Sequence, residues 1–106
     1  MTPLRESRIF VTNDEFEWDD EKATSNLRKH GLSFEAARLV FLDAFALLDL
    51  DESQDHSEER FILTGMANEQ IFVVVYTERG DRNRIISARK ADRREQDEYY
   101  RNQTPA

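Results

Sequence analysis

The 106-residue chain has no cysteine, only three glycines and only two prolines. Without cysteine there is no disulfide framework and no thiolate metal site, a composition that suits a reducing compartment. So little glycine and proline excludes a low-complexity or collagen-like chain. No stretch approaches the roughly 20 apolar residues of a membrane-spanning helix. The opening "MTPLRESRIFVTNDEFEW" lacks the apolar run of a secretory signal, so a cytoplasmic location is expected. P-loop, dinucleotide, HExxH and GxSxG motifs are missing as well. Positive charge is scarce: 15 Lys and Arg stand against 22 Asp and Glu, a formal net charge of −7. That argues against a surface that binds nucleic acid indiscriminately.

What is present is one domain's worth of core-forming residues. No repeat or linker divides the chain, and the expected organisation is an N-terminal extension (1–15), a single domain (16–101) and a short tail (102–106). In the extension, "RIFV" reads either as a short strand or as an arm. Phe16–Trp18 reads as a brief extended piece. Asp19 is a candidate N-cap, Asp20 and Glu21 suit a helix N-terminus, Arg28, Lys29 and His30 suit its C-terminus, and Gly31 suits the position just beyond. Ala23, Leu27 and His30 share one helical face. "LSFEAARLVF", capped by Ser33, predicts a second helix with Phe34, Ala37, Val40 and Phe41 as its buried stripe.

Four short segments rich in β-branched and aromatic residues follow: 45–50, 60–66, 71–77 and 84–90. They predict an antiparallel meander. "ADRREQDEYYRN" predicts a short polar helix capped by Asp92. The sum is an α+β fold: a helical hairpin, a four-stranded antiparallel sheet and a C-terminal helix, with helices on one sheet face.

The positive charge that exists is concentrated. Arg79–Arg94, "RGDRNRIISARKADRR", carries seven basic and two acidic residues, a local +5 that leaves the remainder of the chain at −12. Strand alternation over 84–90 puts Arg84, Ile86, Ala88 and Lys90 on one face, with Ile86 and Ala88 packed against helices, and Ser87 and Arg89 on the other. Arg93 and Arg94 open the last helix, where cations oppose the helix dipole by about 0.3–1 kcal/mol each. Three readings stand side by side: a solvated charged face, a phosphate-contacting site, and a dock for an acidic partner.

Other candidates are weaker. Asp49, Asp51, Ser53 and Asp55 have calcium-loop spacing, but Gln54 replaces the sharp-turn glycine and Arg60 the closing carboxylate. No metal or other cofactor is expected. His30 is either a general acid or base or a helix-capping histidine; His56 reads as solvated.

"FEWDDEKATSNLRKHGLSFEAARLVFLD", "EERFILTG" and "VVVYTERGDRNRIISARKADRREQDEYY" together resemble the BrnT toxins of type II toxin–antitoxin modules. The resemblance covers about residues 16–100 and implies a RelE-like fold. It implies a metal-independent endoribonuclease that halts translation and is silenced by a BrnA-type antitoxin. Because an operator-binding antitoxin commonly acts as a two-fold pair, a dimer of heterodimers is one expected assembly. DNA would be contacted only through the antitoxin. The alternative is a non-catalytic binding module acting as corepressor with a DNA-binding partner. Under the toxin reading Arg89, Arg79 and Arg60 are the candidates for phosphate and transition-state contacts, because the arginine fork matches phosphate oxygens. Lys29 and His30, in the "KHG" block, are the candidates for proton transfer or backbone binding. Lys90, Arg93 and Arg94 would widen the RNA track, and Tyr99 or Tyr100 would stack on a base. No general base is evident.

Overall fold

The computed structural model describes residues 10–12, 15–52 and 58–103. In chain order the elements are β1 (Phe10–Thr12), β2 (Phe16–Asp19), α1 (Asp20–His30), α2 (Phe34–Ala37) continuing as a 3-10 turn (Arg38–Leu42), β3 (Leu47–Leu50), β4 (Phe61–Ala67), β5 (Gln70–Arg79), β6 (Arg82–Lys90) and α3 (Arg93–Arg101). The class is α+β, and the expected meander is present as β3 to β6, antiparallel throughout. The sheet is larger than expected, with six strands in the order β1-β2-β6-β5-β4-β3. β2 joins β6 in parallel, and β1 pairs with β2, so part of the N-terminal extension is a strand. The second helix is shorter than its apolar period suggested: one α turn gives way to 3-10 geometry at Arg38.

Local chemistry sets the boundaries. Asp19 accepts from the Glu21 N–H at 2.9 Å, and Ser33 accepts from the Ala36 N–H at 3.0 Å, so both N-caps form as expected. Gly31 ends α1 at φ 68°, where a side chain is disfavoured. Asp92 and Glu95 make a reciprocal capping box at the start of α3. Asn68 and Glu69, at φ 52° and 66°, form the two-residue β4–β5 turn, whose twist matches the strands it joins.

Two apolar clusters sandwich the sheet. Phe34, Ala37 and Val40 pack with Phe72, Val74, Tyr76, Ile85 and Ala88 on one face. Ile71 and Val73, alternate residues of the same β5, pack with Ala91 and Tyr99 on the other. The helices therefore do not share one face. α3 covers part of the second, because Tyr99 carries its largest buried side chain.

β6 departs from simple alternation. Val75 pairs with Ser87 but Tyr76 pairs with Ile85, which leaves Ile86 as an extra residue in a bulge. Ile85 and Ala88 consequently both enter the helix-side core, at 1% exposure each, and Ile86 does not. Arg84, at the N-terminal part of β6, is engaged across the sheet. Its Nε donates to Glu17 Oε2 at 2.6 Å and ties β6 to β2.

The inward residue of α1 is Asn26, while Leu27, on the face shared with Ala23 and His30, is half exposed. Asn26 donates to the carbonyls of Ala88 (2.8 Å) and Leu32 (3.0 Å), and it accepts from the Ala88 N–H (3.1 Å). β2 pairs with β6 only at Asn83 and Arg84. Farther along, the Asn26 amide takes the place of a neighbouring strand. Replacing Asn26 by Ala strands one buried N–H and two carbonyls, at about 1–3 kcal/mol for each unsatisfied group before relaxation. Asn26→Ala should lose about 2–4 kcal/mol of unfolding free energy. Urea denaturation checks this by a lowered midpoint at constant slope.

Candidate functional site

A groove runs between α1 and the bulged part of β6. One half, of about 180 Å³, is lined by Lys22, Ser25, Asn26, Lys29, His30, Ile86 and Ser87. The other, about 80 Å³, is lined by Asp19, Lys22, Glu58, Arg60, Arg84, Ile85 and Ile86. Lys22 and Ile86 line both halves, so the two adjoin. The first half contains two lysines, a histidine and three polar side chains, and no carboxylate. Lys29 and His30 sit at the negative end of the α1 dipole, which they offset. An anion in this half would be drawn by Lys22 and Lys29 and not by the helix dipole.

The sequence candidates divide into two groups. Lys29, His30 and Arg60 come together along the groove. Arg79 is linked to them through Glu58, whose carboxylate lies 3.4 Å from Arg79 Nε and 3.8 Å from Arg60 Nη2. The Nε of Arg60 is buried with no hydrogen-bond partner among the described residues. Lys22 was not singled out from the sequence. Its signal there was slight, a single cation at the N-terminal turn of a helix.

Arg89 lies elsewhere. It pairs with Val73, on the α3 side of the sheet. Its Nη1 and Nη2 donate to the two oxygens of Glu95 at 2.9 and 2.8 Å. Glu95 Oε1 also accepts from the Asp92 N–H at 2.8 Å. The same carboxylate thus fastens Arg89 and caps α3. Lys90, Arg93 and Arg94 are exposed nearby, with Arg93 3.6 Å from Asp97. Tyr99 cannot stack on a base as expected: it is 2% exposed, and its hydroxyl donates to Asp43 Oδ2. Tyr100, 49% exposed, remains open to such a contact.

A larger hollow of about 350 Å³ lies by the β5–β6 turn, lined by Glu15, Phe16, Arg38, Leu39, Phe41, Leu42, Asp81 and Asn83. Its carboxylates Glu15 and Asp81 disfavour a phosphate, and its one cation, Arg38, is paired with Glu35 at 3.1 Å. Among the described residues no three His, Asp or Glu side chains converge as a metal site. Ser53 and Asp55 of the calcium-like spacing, and His56, lie outside the described residues.

The groove and the Arg89–Glu95 pair fall within residues 18–95, which match the family described as the ribonuclease toxin BrnT of type II toxin–antitoxin systems. The chain belongs to the BrnT toxin family. A search of curated proteins finds no match. BrnT toxins are ribonucleases with RNA as target and an antitoxin as partner. In this BrnT chain the matched span takes in all of α1 and β6, and it leaves out β1, Tyr99 and Tyr100. No helix among the described residues is long and apolar enough to cross a membrane.

The Arg89 guanidinium, with the Asp92 N–H, holds the Glu95 carboxyl down at about 2, against an ordinary 4.5. A depressed carboxyl stabilises the fold above its unfolded value, and that contribution fades as pH falls toward the folded one. The melting temperatures of the wild type and Glu95→Gln should therefore differ most above pH 5 and converge as pH drops from 4.5 toward 2. Thermal denaturation of both proteins across that range checks it.

Proposed function

We propose that this chain is a metal-independent endoribonuclease toxin that inhibits translation and is neutralised by a BrnA-type antitoxin, with RelE-like topology. The observation that carries the reading is the gathering of Lys22, Lys29, His30 and Arg60 along one groove in a protein of net charge −7. RNA cleavage of this kind uses the 2′-oxygen as nucleophile. It loses its proton and attacks phosphorus, the phosphorane gains charge, and the 5′-oxygen leaves with a proton. The groove has groups for the last two tasks. Arg60 offers a fork for the phosphorane, with a buried Nε still able to donate. His30 is assigned the proton transfer, and Lys29 and Lys22 the backbone phosphates.

Arg79 supports Arg60 through the shared Glu58. Arg89, Lys90, Arg93 and Arg94 are assigned the flanking RNA track, with Tyr100 as a stacking surface. The silencing antitoxin is assigned to the basic segment as well, in a dimer of heterodimers that meets DNA only through the antitoxin.

Arg60→Ala should fold normally and lose about 10²–10³ in cleavage rate, and His30→Ala about 10²–10⁴. Single-turnover cleavage of a labelled RNA in EDTA measures both. Wild-type rates in both variants would sink the groove assignment. Loss of all wild-type activity in EDTA, restored by magnesium, would sink the metal-free mechanism.

Arg89 has a separate test. If it contacts RNA phosphate, it must leave Glu95 to do so. Glu95→Gln should then tighten RNA binding while Arg89→Ala weakens it. If Arg89 only anchors α3, both variants destabilise the fold alike and neither changes RNA affinity. Filter binding at two salt concentrations, alongside thermal melts, separates the two roles.

A further inference from the structure

β3 ends the sheet, and among the described residues nothing pairs with its outer edge. The Asp51 N–H donates to the Arg60 carbonyl at 2.8 Å. Alternation along an antiparallel pair then turns the backbone groups of Leu47 and Asp49 toward β4 and those of Leu48 and Leu50 outward. The side chains alternate too. Leu48 and Leu50 lie opposite Leu63 and Phe61, on the helix side of the sheet, and are 57% and 43% exposed. Asp49 lies opposite Ile62, on the other face. Leu42 and Phe45, 79% and 57% exposed, lead into the strand.

Edge strands are ordinarily guarded by lysine, proline, a bulge or a covering element. The free lengths of two inner strands are covered here, β6 by Asn26 and β4 by Asp43, which accepts from the Met66 N–H at 2.8 Å. β3 is short and carries one charge, Asp49, but among the described residues no lysine, proline, bulge or covering element protects it. From Ala44 to Glu59 the sequence contains no Lys or Arg, while Asp49, Asp51 and Glu52 accompany the strand.

We propose that this edge receives an extended segment of a partner polypeptide in which apolar and basic residues alternate, added to the sheet as a further strand. Its apolar side chains lie beside Leu48 and Leu50, and its cations beside Asp49 and Asp51. Charge decides the occupant. A second copy would bring Asp49, Asp51 and Glu52 against their own equivalents, between chains of −7 each. A nucleic acid meets the same repulsion. A cationic strand meets complementary charge on one face, apolar surface on the other, and the unpaired N–H and C=O of Leu48 and Leu50 between them. In a type II module the partner that fits is the antitoxin, and in that respect the assignment rests on the proposed function.

The probe is a synthetic peptide of alternating valine and lysine, with a valine–glutamate peptide as control. Amide hydrogen exchange on the full chain should show the Leu48 and Leu50 N–H groups becoming protected in the valine–lysine peptide alone. Leu48→Lys/Leu50→Lys, at exposed positions, should weaken binding about tenfold or more through like charge and leave RNA cleavage unchanged. Equal binding to the double variant, equal binding of the glutamate control, or no protection at millimolar peptide overturns the proposal. So does a wild type that sediments as a dimer with these amides already protected. Cleavage by the double variant is read separately: an inactive wild type tells against the ribonuclease mechanism and leaves the peptide result intact.

Discussion

The hydrogen bonds between the Asn26 amide and the Ala88 peptide hold the molecule's working parts in register. β2 leaves β6 after Arg84, and the peptide groups beyond would be buried without partners if nothing replaced it. A primary amide carries both a donor and an acceptor, so it mimics a strand's peptide, and a third bond to Leu32 fixes the turn after α1. The position of α1 beside β6 follows from this. So does the groove, because Lys22, Ser25, Lys29 and His30 flank Asn26 on the same helix. Leucine there would bury more apolar surface and leave the strand unpaired.

The positive charge concentrated in the sequence is partly neutralised in the fold. Glu17 takes Arg84, Glu58 takes Arg60 and Arg79, and Glu95 takes Arg89. Each pair also joins elements that lie apart in the chain or secures a turn. Among the described residues, Lys22 and Lys29 make no such pair and come from α1, while Lys90 and Arg94 stay exposed and without an ion pair inside the Arg79–Arg94 run. Exposed positive charge is thus divided between the basic run and the helix beside it.

Features set by neighbours in the chain were legible beforehand. Asp19, Ser33 and Asp92 cap their helices because a short polar side chain needs only the next turn's N–H. Gly31 ends α1 because its backbone tolerates a positive φ. The meander strands follow from their apolar composition. What escaped the sequence depends on distant partners. The Ile86 bulge is visible only in the register with β5, and it breaks the alternation on which facing was judged. Asn26 is an ordinary polar helix residue until Ala88 is beside it. Tyr99 looks exposed in a polar helix, and only its docking on β5 and Asp43 buries it. Of the candidates, Lys29 and His30 line one hollow and Arg60 the adjoining one, Lys22 lines both without having been a candidate, and Arg89 is held by Glu95.

Asp43 joins layers that the sheet keeps apart. Its Oδ2 accepts from Met66 on the edge of β4 and from Tyr99 of α3, and Gly65 leaves room for it, since a Cβ there would lie 3.2 Å from that oxygen and 2.9 Å from Val40. Burial opposes ionisation of Asp43, but the three hydrogen bonds it accepts outweigh that and keep it below its usual range. Burial and the same carboxylate push the Tyr99 hydroxyl far above its own. The terminal helix and the 3-10 turn, on opposite faces, are thereby fastened to one side chain. Neither can open locally without exposing that oxygen's other partner. Local opening of either layer is thereby coupled to the other through one carboxylate, which ties the short, polar α3 to the rest of the fold.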